Sequence, residues 1–143
     1  MAIALATAME LTLQEKDAEC ARLLALRDRL EASLLERVPD AVVHGRGARR
    51  APHMLSLSVP GTDSESMLMA LDLQGVACSS GSACASGSIT PSHVLSAMGV
   101  SPELGSAAIR MSVGKLTTPD HIDRVVALFP ALIVKARGLA GRF

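Results

Sequence analysis

The first 38 residues contain neither glycine nor proline, although the 143-residue chain holds 11 of the one and 7 of the other. Glycine and proline are the residues that interrupt helices, so their absence predicts one long helix or two nearly continuous ones. Leu23, Leu26, Leu30, Leu34 and Val38 recur at helical spacing and give one apolar stripe, which Ala4, Ala8 and Leu11 continue more softly upstream. Pro39 stops the helix.

The rest of the chain changes period. Val42-Val43-His44 reads as a short strand, and Met54 to Val59 alternates as a half-buried one. Between them Gly45 to Pro52 carries Arg46, Arg49 and Arg50 with no acid, which is usually only a solvated turn. Thr62 and Glu65 have the spacing of a capping box, followed by a helix with Met67, Leu68, Leu71 and Leu73 on its apolar face and Gly75 at its end. Val76-Ala77-Cys78 reads as another strand. Ser79 to Thr90 is built almost wholly of Ser, Gly and Ala and predicts a mobile loop. A helix follows from Pro91 to Met98, then a small turn or helix from Ser101, and a last strand over Ala107 to Val113. Thr117-Thr118-Pro119-Asp120 opens a final amphipathic helix lined by Ile122, Val126, Phe129 and Ile133, with a kink expected at Pro130. The expectation is an α+β fold: a small, mostly antiparallel sheet covered on one face by helices, in one domain spanning residues 1–143.

Composition narrows the function. Lys+Arg and Asp+Glu are 14 each, and the only aromatic residues are Phe129 and Phe143. A nucleic-acid binder normally shows a basic excess and often stacking platforms, so that class is excluded as an expectation. No apolar run reaches the roughly 18 residues of a membrane span, and the apolar start has no basic flank of a signal peptide. Three cysteines, an odd number, in a chain this long point to a reducing compartment. A cytoplasmic protein is expected.

Cys84 is the sharpest chemical feature, because it sits in a polar loop where a thiol is accessible, whereas structural cysteines usually hide in apolar runs. Reactive thiol and incidental surface cysteine both stand at this point. Cys78 and Cys20 read as small buried hydrophobes. A zinc site from Cys78, Cys84 and His93 lacks the paired spacing such sites show. Arg110 lies in an apolar strand and needs an anion, either Asp72 or Glu103 as a structural partner or the carboxylate of a substrate. His44 and His53 flank the arginine loop and read as solvated; His121 reads as exposed.

The ordered pieces RDRLEASLLERVPD, RRAPHMLSLSVPG, ESMLMALDLQGVACSSGSACASG, PSHVLSAMGV and AAIRMSVGKLTT resemble the C-terminal region of cysteine desulfurases, in the long-loop NifS/IscS-like group of the class V aminotransferases. The resemblance implies the small domain of a fold-type I pyridoxal phosphate enzyme over residues 14–143, with residues 1–13 as the remnant of a junction to a large domain. It implies that Cys84 takes sulfur from L-cysteine as a persulfide and leaves L-alanine, while the cofactor ring serves as electron sink. It gives Arg110 the substrate carboxylate. Sulfur would pass to a scaffold for iron–sulfur clusters or thiocofactors, with Cys84 a transient cluster ligand, and the enzyme would be a homodimer. The family also needs a Schiff-base lysine in a Ser-x-His-Lys-type context, and neither Lys16, Lys115 nor Lys135 has one. The chain alone is therefore expected to be silent, to bind no pyridoxal phosphate covalently and to associate through its uncovered apolar start. A truncated reading frame and one part of a split enzyme both fit that pattern. A sulfur carrier or scaffold that keeps Cys84 without catalysis is the alternative.

Overall fold

The computed structural model describes residues 2–80 and 92–140. Its elements run α1 (Ala2–Arg37), β1 (Val42–Val43), β2 (Met54–Ser58), α2 (Ser64–Asp72), α3 (His93–Ala97), α4 (Pro102–Ser106), β3 (Ala108–Ser112) and α5 (Pro119–Ala140).

α1 is a single helix, as a stretch without Gly or Pro allows. Its apolar stripe packs only over the C-terminal part, where Leu26, Leu30 and Leu34 are buried. Residues 2–18 are exposed on every side, and Ile3, Leu5, Met9, Leu11 and Leu13 stand among them. α1 lies against α5, whose Ile122, Val126, Phe129, Ile133 and Ala136 recur at helical spacing and are all buried. α5 continues through Pro130, whose missing N–H leaves the Val126 carbonyl without its helical bond. Arg22 ties α1 to the segment before α5 by donating to the carbonyls of Gly114, Lys115 and Thr117.

The three strands form an antiparallel sheet in the order β1-β2-β3. Val43 faces Leu57 and Leu57 faces Ile109, while Ser56 faces Arg110. Because side chains alternate along a strand, this register sorts the sheet into two faces. Leu55, Leu57, Ile109 and Met111 belong to the core under α1, α2 and α5. Met54, Ser56, Ser58, Ala108 and Arg110 belong to the other face, where the polar groups collect.

Two local expectations change. Val76-Ala77-Cys78 is not a strand; the ladder is reduced to one bridge, with Arg110 N–H donating to Ser79 O at 2.6 Å and Ser79 N–H donating to Arg110 O at 3.1 Å. The cause lies just upstream. Gly75, at φ 73°, closes α2 in the left-handed conformation, and the next amide, Val76 N–H, is spent on Leu71 O at 3.0 Å. The cap of α2 also moves by one residue. The Pro60–Gly61 turn captures Thr62, whose hydroxyl donates to Val59 O, so Asp63 becomes the cap and its carboxylate accepts from Ser66 N–H at 2.7 Å. At α5, by contrast, the expected start signal holds: Thr118 Oγ1 and His121 Nδ1 accept from each other's backbone N–H groups.

Candidate functional site

The polar face of the sheet borders a cavity of about 550 Å³. Arg110 and Ser56, opposite one another on β3 and β2, line its floor. Arg49 and Arg50 come from the arginine loop, Leu95 and Met98 from the α3 end. Both backbone groups of Arg110 are bonded to Ser79, and β3 pairs with β2 on its other side with Ser56 opposite Arg110, so its side chain leaves a fixed point. That side chain is half-buried and has no hydrogen-bond or ion-pair partner among the described residues; neither Asp72 nor Glu103 pairs with it. A guanidinium partly withdrawn from water without a counter-ion favours an anionic ligand.

The arginine loop is not the solvated turn that its charge suggests. Glu31 of α1 is buried and reaches Arg46 at 3.3 Å and Arg50 at 2.8 Å. This carboxylate fastens the loop to the helix and decides which arginines remain free. Glu31 follows Arg27 by four residues, beside the Leu26–Leu30–Leu34 stripe, and Arg27 is buried too. Arg27 pairs with Asp28 at 2.7 Å and not with Glu31, so the only signal in the sequence for Glu31 is a carboxylate set beside an apolar stripe.

His44 is likewise buried rather than solvated. It follows β1 and keeps the parity of the polar face, with its backbone N–H donating to Ser56 O at 2.9 Å. Ser58 Oγ donates its proton to the Leu104 carbonyl at 2.5 Å, so it accepts from His44 Nε2–H at 2.7 Å. That fixes the neutral tautomer with Nδ1 unprotonated. Burial lowers the His44 pKa below its ordinary 6.5. The unfolded chain therefore takes up the proton first as the pH falls, and stability is lost from about pH 6.5 down through the depressed folded value. Thermal unfolding at pH 7.5 and pH 5.5 should show a drop in Tm that is smaller in His44→Gln; equal drops in both proteins would rule out His44 as a source.

Cys84 lies outside the described residues, while the chain leaves the described structure at Ser80 and returns at Ser92, both on the cavity wall. Cys78 is half-buried against the core, and burial pushes its thiol up to about 11. Cys20 is partly exposed on α1. Among the described residues no group of three His, Cys, Asp or Glu side chains could hold a metal ion, and no helix is long and apolar enough to cross a membrane.

The family profile described as Aminotransferase class-V matches residues 1–125, and the chain belongs to that family. Within it the relatives are cysteine desulfurases. The cysteine desulfurase of Sinorhizobium fredii is 42% identical over 135 residues, covering 94% of this chain and 35% of that protein. The cysteine desulfurase NifS of Azotobacter vinelandii is 38% identical over 138 residues, covering 96% of this chain and 34% of that protein. The chain thus spans about a third of the length of the curated relatives it matches. A solved NifS-like protein from Rickettsia africae superposes with a TM-score of 0.74 at 23% identity, over 87% of this chain and 31% of that one. A second NifS-like protein gives 0.75 at 24% identity, over 91% and 32%. These likenesses bear out the α+β fold with its small antiparallel sheet.

Membership implies pyridoxal phosphate as the cofactor of the family. An internal aldimine needs a lysine in a prepared pocket, and the three lysines of this chain do not provide one. Lys16 is exposed on α1, Lys135 is exposed on α5, and Lys115 follows β3 and pairs with Glu15. None lines the cavity. The residues present do not fit a covalently held pyridoxal phosphate.

Proposed function

We propose that this chain is the sulfur-accepting part of a cysteine desulfurase, with residues 14–143 forming its small domain and residues 1–13 adjoining the domain that bears the cofactor lysine. In this reading L-cysteine and the Cys84 thiol give L-alanine and a Cys84 persulfide. The cysteine sulfur moves to the enzyme thiol, its bond to Cβ breaks, and a proton replaces it on that carbon. The observation that supports the reading is Arg110: a guanidinium without a counter-ion among the described residues, fixed by its backbone on the wall of a cavity where the Cys84 segment departs and returns. Arg110 takes the carboxylate of the substrate through a two-pronged contact, which also sets the direction in which the thiol side chain points. The partners of this reading are L-cysteine, a lysine-bearing domain in a homodimeric cytoplasmic enzyme, and a scaffold that receives the sulfur for iron–sulfur clusters or thiocofactors.

The test pairs this chain with a lysine-bearing domain, adds L-cysteine, and maps persulfide by mass spectrometry while alanine is counted. Persulfide on Cys84 in step with alanine is the expected result; alanine without sulfur on Cys84 would reject the assignment. A second expectation concerns Arg110. Lysine is a point charge and cannot reproduce the fork, so Arg110→Lys in the complete enzyme should weaken cysteine binding by about 1.5–3 kcal/mol, the scale of a hydrogen bond to a charged group. An unchanged apparent affinity would return Arg110 to a purely structural role.

A further inference from the structure

Arg110 accounts for only part of the charge around the cavity. Arg49 and Arg50 also line it, and Arg46 stands beside Arg50 on the same loop. Against these four guanidiniums the structure sets one carboxylate, Glu31, which is already shared by Arg46 and Arg50. Among the described residues no Asp or Glu lines the wall. One further N–H group, Arg50 Nη1, is buried without a hydrogen-bond partner among the described residues.

Arg49 resembles Arg110 in its lack of a partner, although it is exposed where Arg110 is half-buried. It lines the cavity and has no hydrogen-bond or ion-pair partner among the described residues. The loop that presents it is held in place. Ala48 N–H donates to Gly45 O at 3.1 Å, Gly45 and Gly47 take positive φ (69° and 93°), and the next residue, Arg50, is anchored to α1 through Glu31. Around the guanidiniums the wall is apolar, with Ala51, Met54, Leu95 and Met98, which strengthens any charge–charge contact made inside it. A volume of about 550 Å³ lies within the usual range for small-molecule sites.

We propose that Arg49 is a second anion contact, so that the cavity takes an α-amino acid whose side chain also carries negative charge, as a thiolate, sulfinate or carboxylate does. The α-carboxylate goes to Arg110, a placement that rests on the reading of Arg110 above, and the side-chain anion goes to Arg49. On this view Arg49 selects for the ionised side chain of the ligand and is a specificity determinant, while Arg110 binds any amino acid.

L-aspartate and L-asparagine test this directly, since they share size and shape and differ in one charge. Their binding to the chain itself can be followed by the shifts of its amide and guanidinium signals in NMR. L-aspartate should bind roughly tenfold more tightly than L-asparagine, on the scale of one charge-assisted contact. Arg49→Gln should remove that preference and leave L-asparagine binding as it was, with thermal unfolding unchanged because Arg49 is exposed and has no partner among the described residues. Arg110→Gln should weaken both ligands. Equal affinity for the two ligands in the parent, a preference that survives Arg49→Gln, or no binding of L-aspartate at any soluble concentration would each overturn the proposal. Full affinity for L-asparagine in Arg110→Gln would instead sink the carboxylate assignment of Arg110. Neither measurement involves Cys84, so failure of sulfur transfer leaves this result standing.

Discussion

Replacing Cys84 with serine in an enzyme that supplies the cofactor lysine should abolish sulfur transfer, while Cys78→Ala keeps most of it. The two thiols differ in what their surroundings permit. Thiolate, not thiol, is the nucleophile, so reactivity requires both access and ionisation. Cys78 has little of either: it packs against the core, and its thiol is pushed up to about 11 by burial. At pH 7.4 its thiolate fraction is then on the order of one in a few thousand. Cys84 stands in a run of Ser, Gly and Ala that has no apolar side chain large enough to bury it. Serine at position 84 keeps the size and polarity of the side chain, but an alkoxide is not available near neutral pH and oxygen does not carry a persulfide. Transfer of radioactive sulfur from L-cysteine to an acceptor thiol is the readout. Parent-level transfer by Cys84→Ser, or loss of transfer on Cys78→Ala with the protein still folded, would reverse the assignment.

How far the sequence carried these conclusions depends on the range of the contacts involved. α1 was legible because its cause is local: no Gly or Pro before Pro39. β2 was legible because Met-Leu-Ser-Leu-Ser-Val alternates, and the caps at Ser101 and Thr118 because capping spans only three residues. The Val76–Cys78 strand failed for a reason that is also local but finer: the amide needed to start a ladder had already been used to finish a helix. His44 failed for a reason that no window on the sequence contains. Its partner Ser58 is 14 residues away, and their meeting depends on the register of β1 with β2. The same is true of Glu31, which meets Arg46 and Arg50 only once α1 lies beside the loop. Cys84 and Arg110 stood out for a different reason, namely ordered motifs that resemble a family. The structure adds to Arg110 the absence of either proposed carboxylate partner and the cavity that it lines.

The largest expected loss of stability is at Phe129. The side chain is fully buried, on the face of α5 that meets α1 and α2 over the core side of the sheet. It is also the single aromatic group in that core. Truncation to alanine removes the ring and leaves a cavity that Leu and Ile neighbours fill only in part, so Phe129→Ala should cost about 3–5 kcal/mol. Against a typical domain stability of about 5–15 kcal/mol, that is enough to populate the unfolded chain under mild conditions. Val134→Ala is the control, because Val134 lies on the same helix and is 73% exposed. It should change stability by less than about 0.5 kcal/mol. Urea unfolding should be followed by far-ultraviolet circular dichroism, since the chain has no tryptophan or tyrosine for fluorescence. Several protein concentrations are needed, because the exposed apolar residues of α1 from Ile3 to Leu13 favour association. A Phe129→Ala midpoint close to the parent would mean that α5 contributes little to the core. Phe129 shares its core cluster with Ile109 and Met111 on one side of β3, while the opposite side of β3 carries Arg110 into the cavity. The geometry of the candidate site should therefore depend on a ring on the far side of the sheet, and Phe129→Ala should blur the Arg110 guanidinium signal before the domain unfolds.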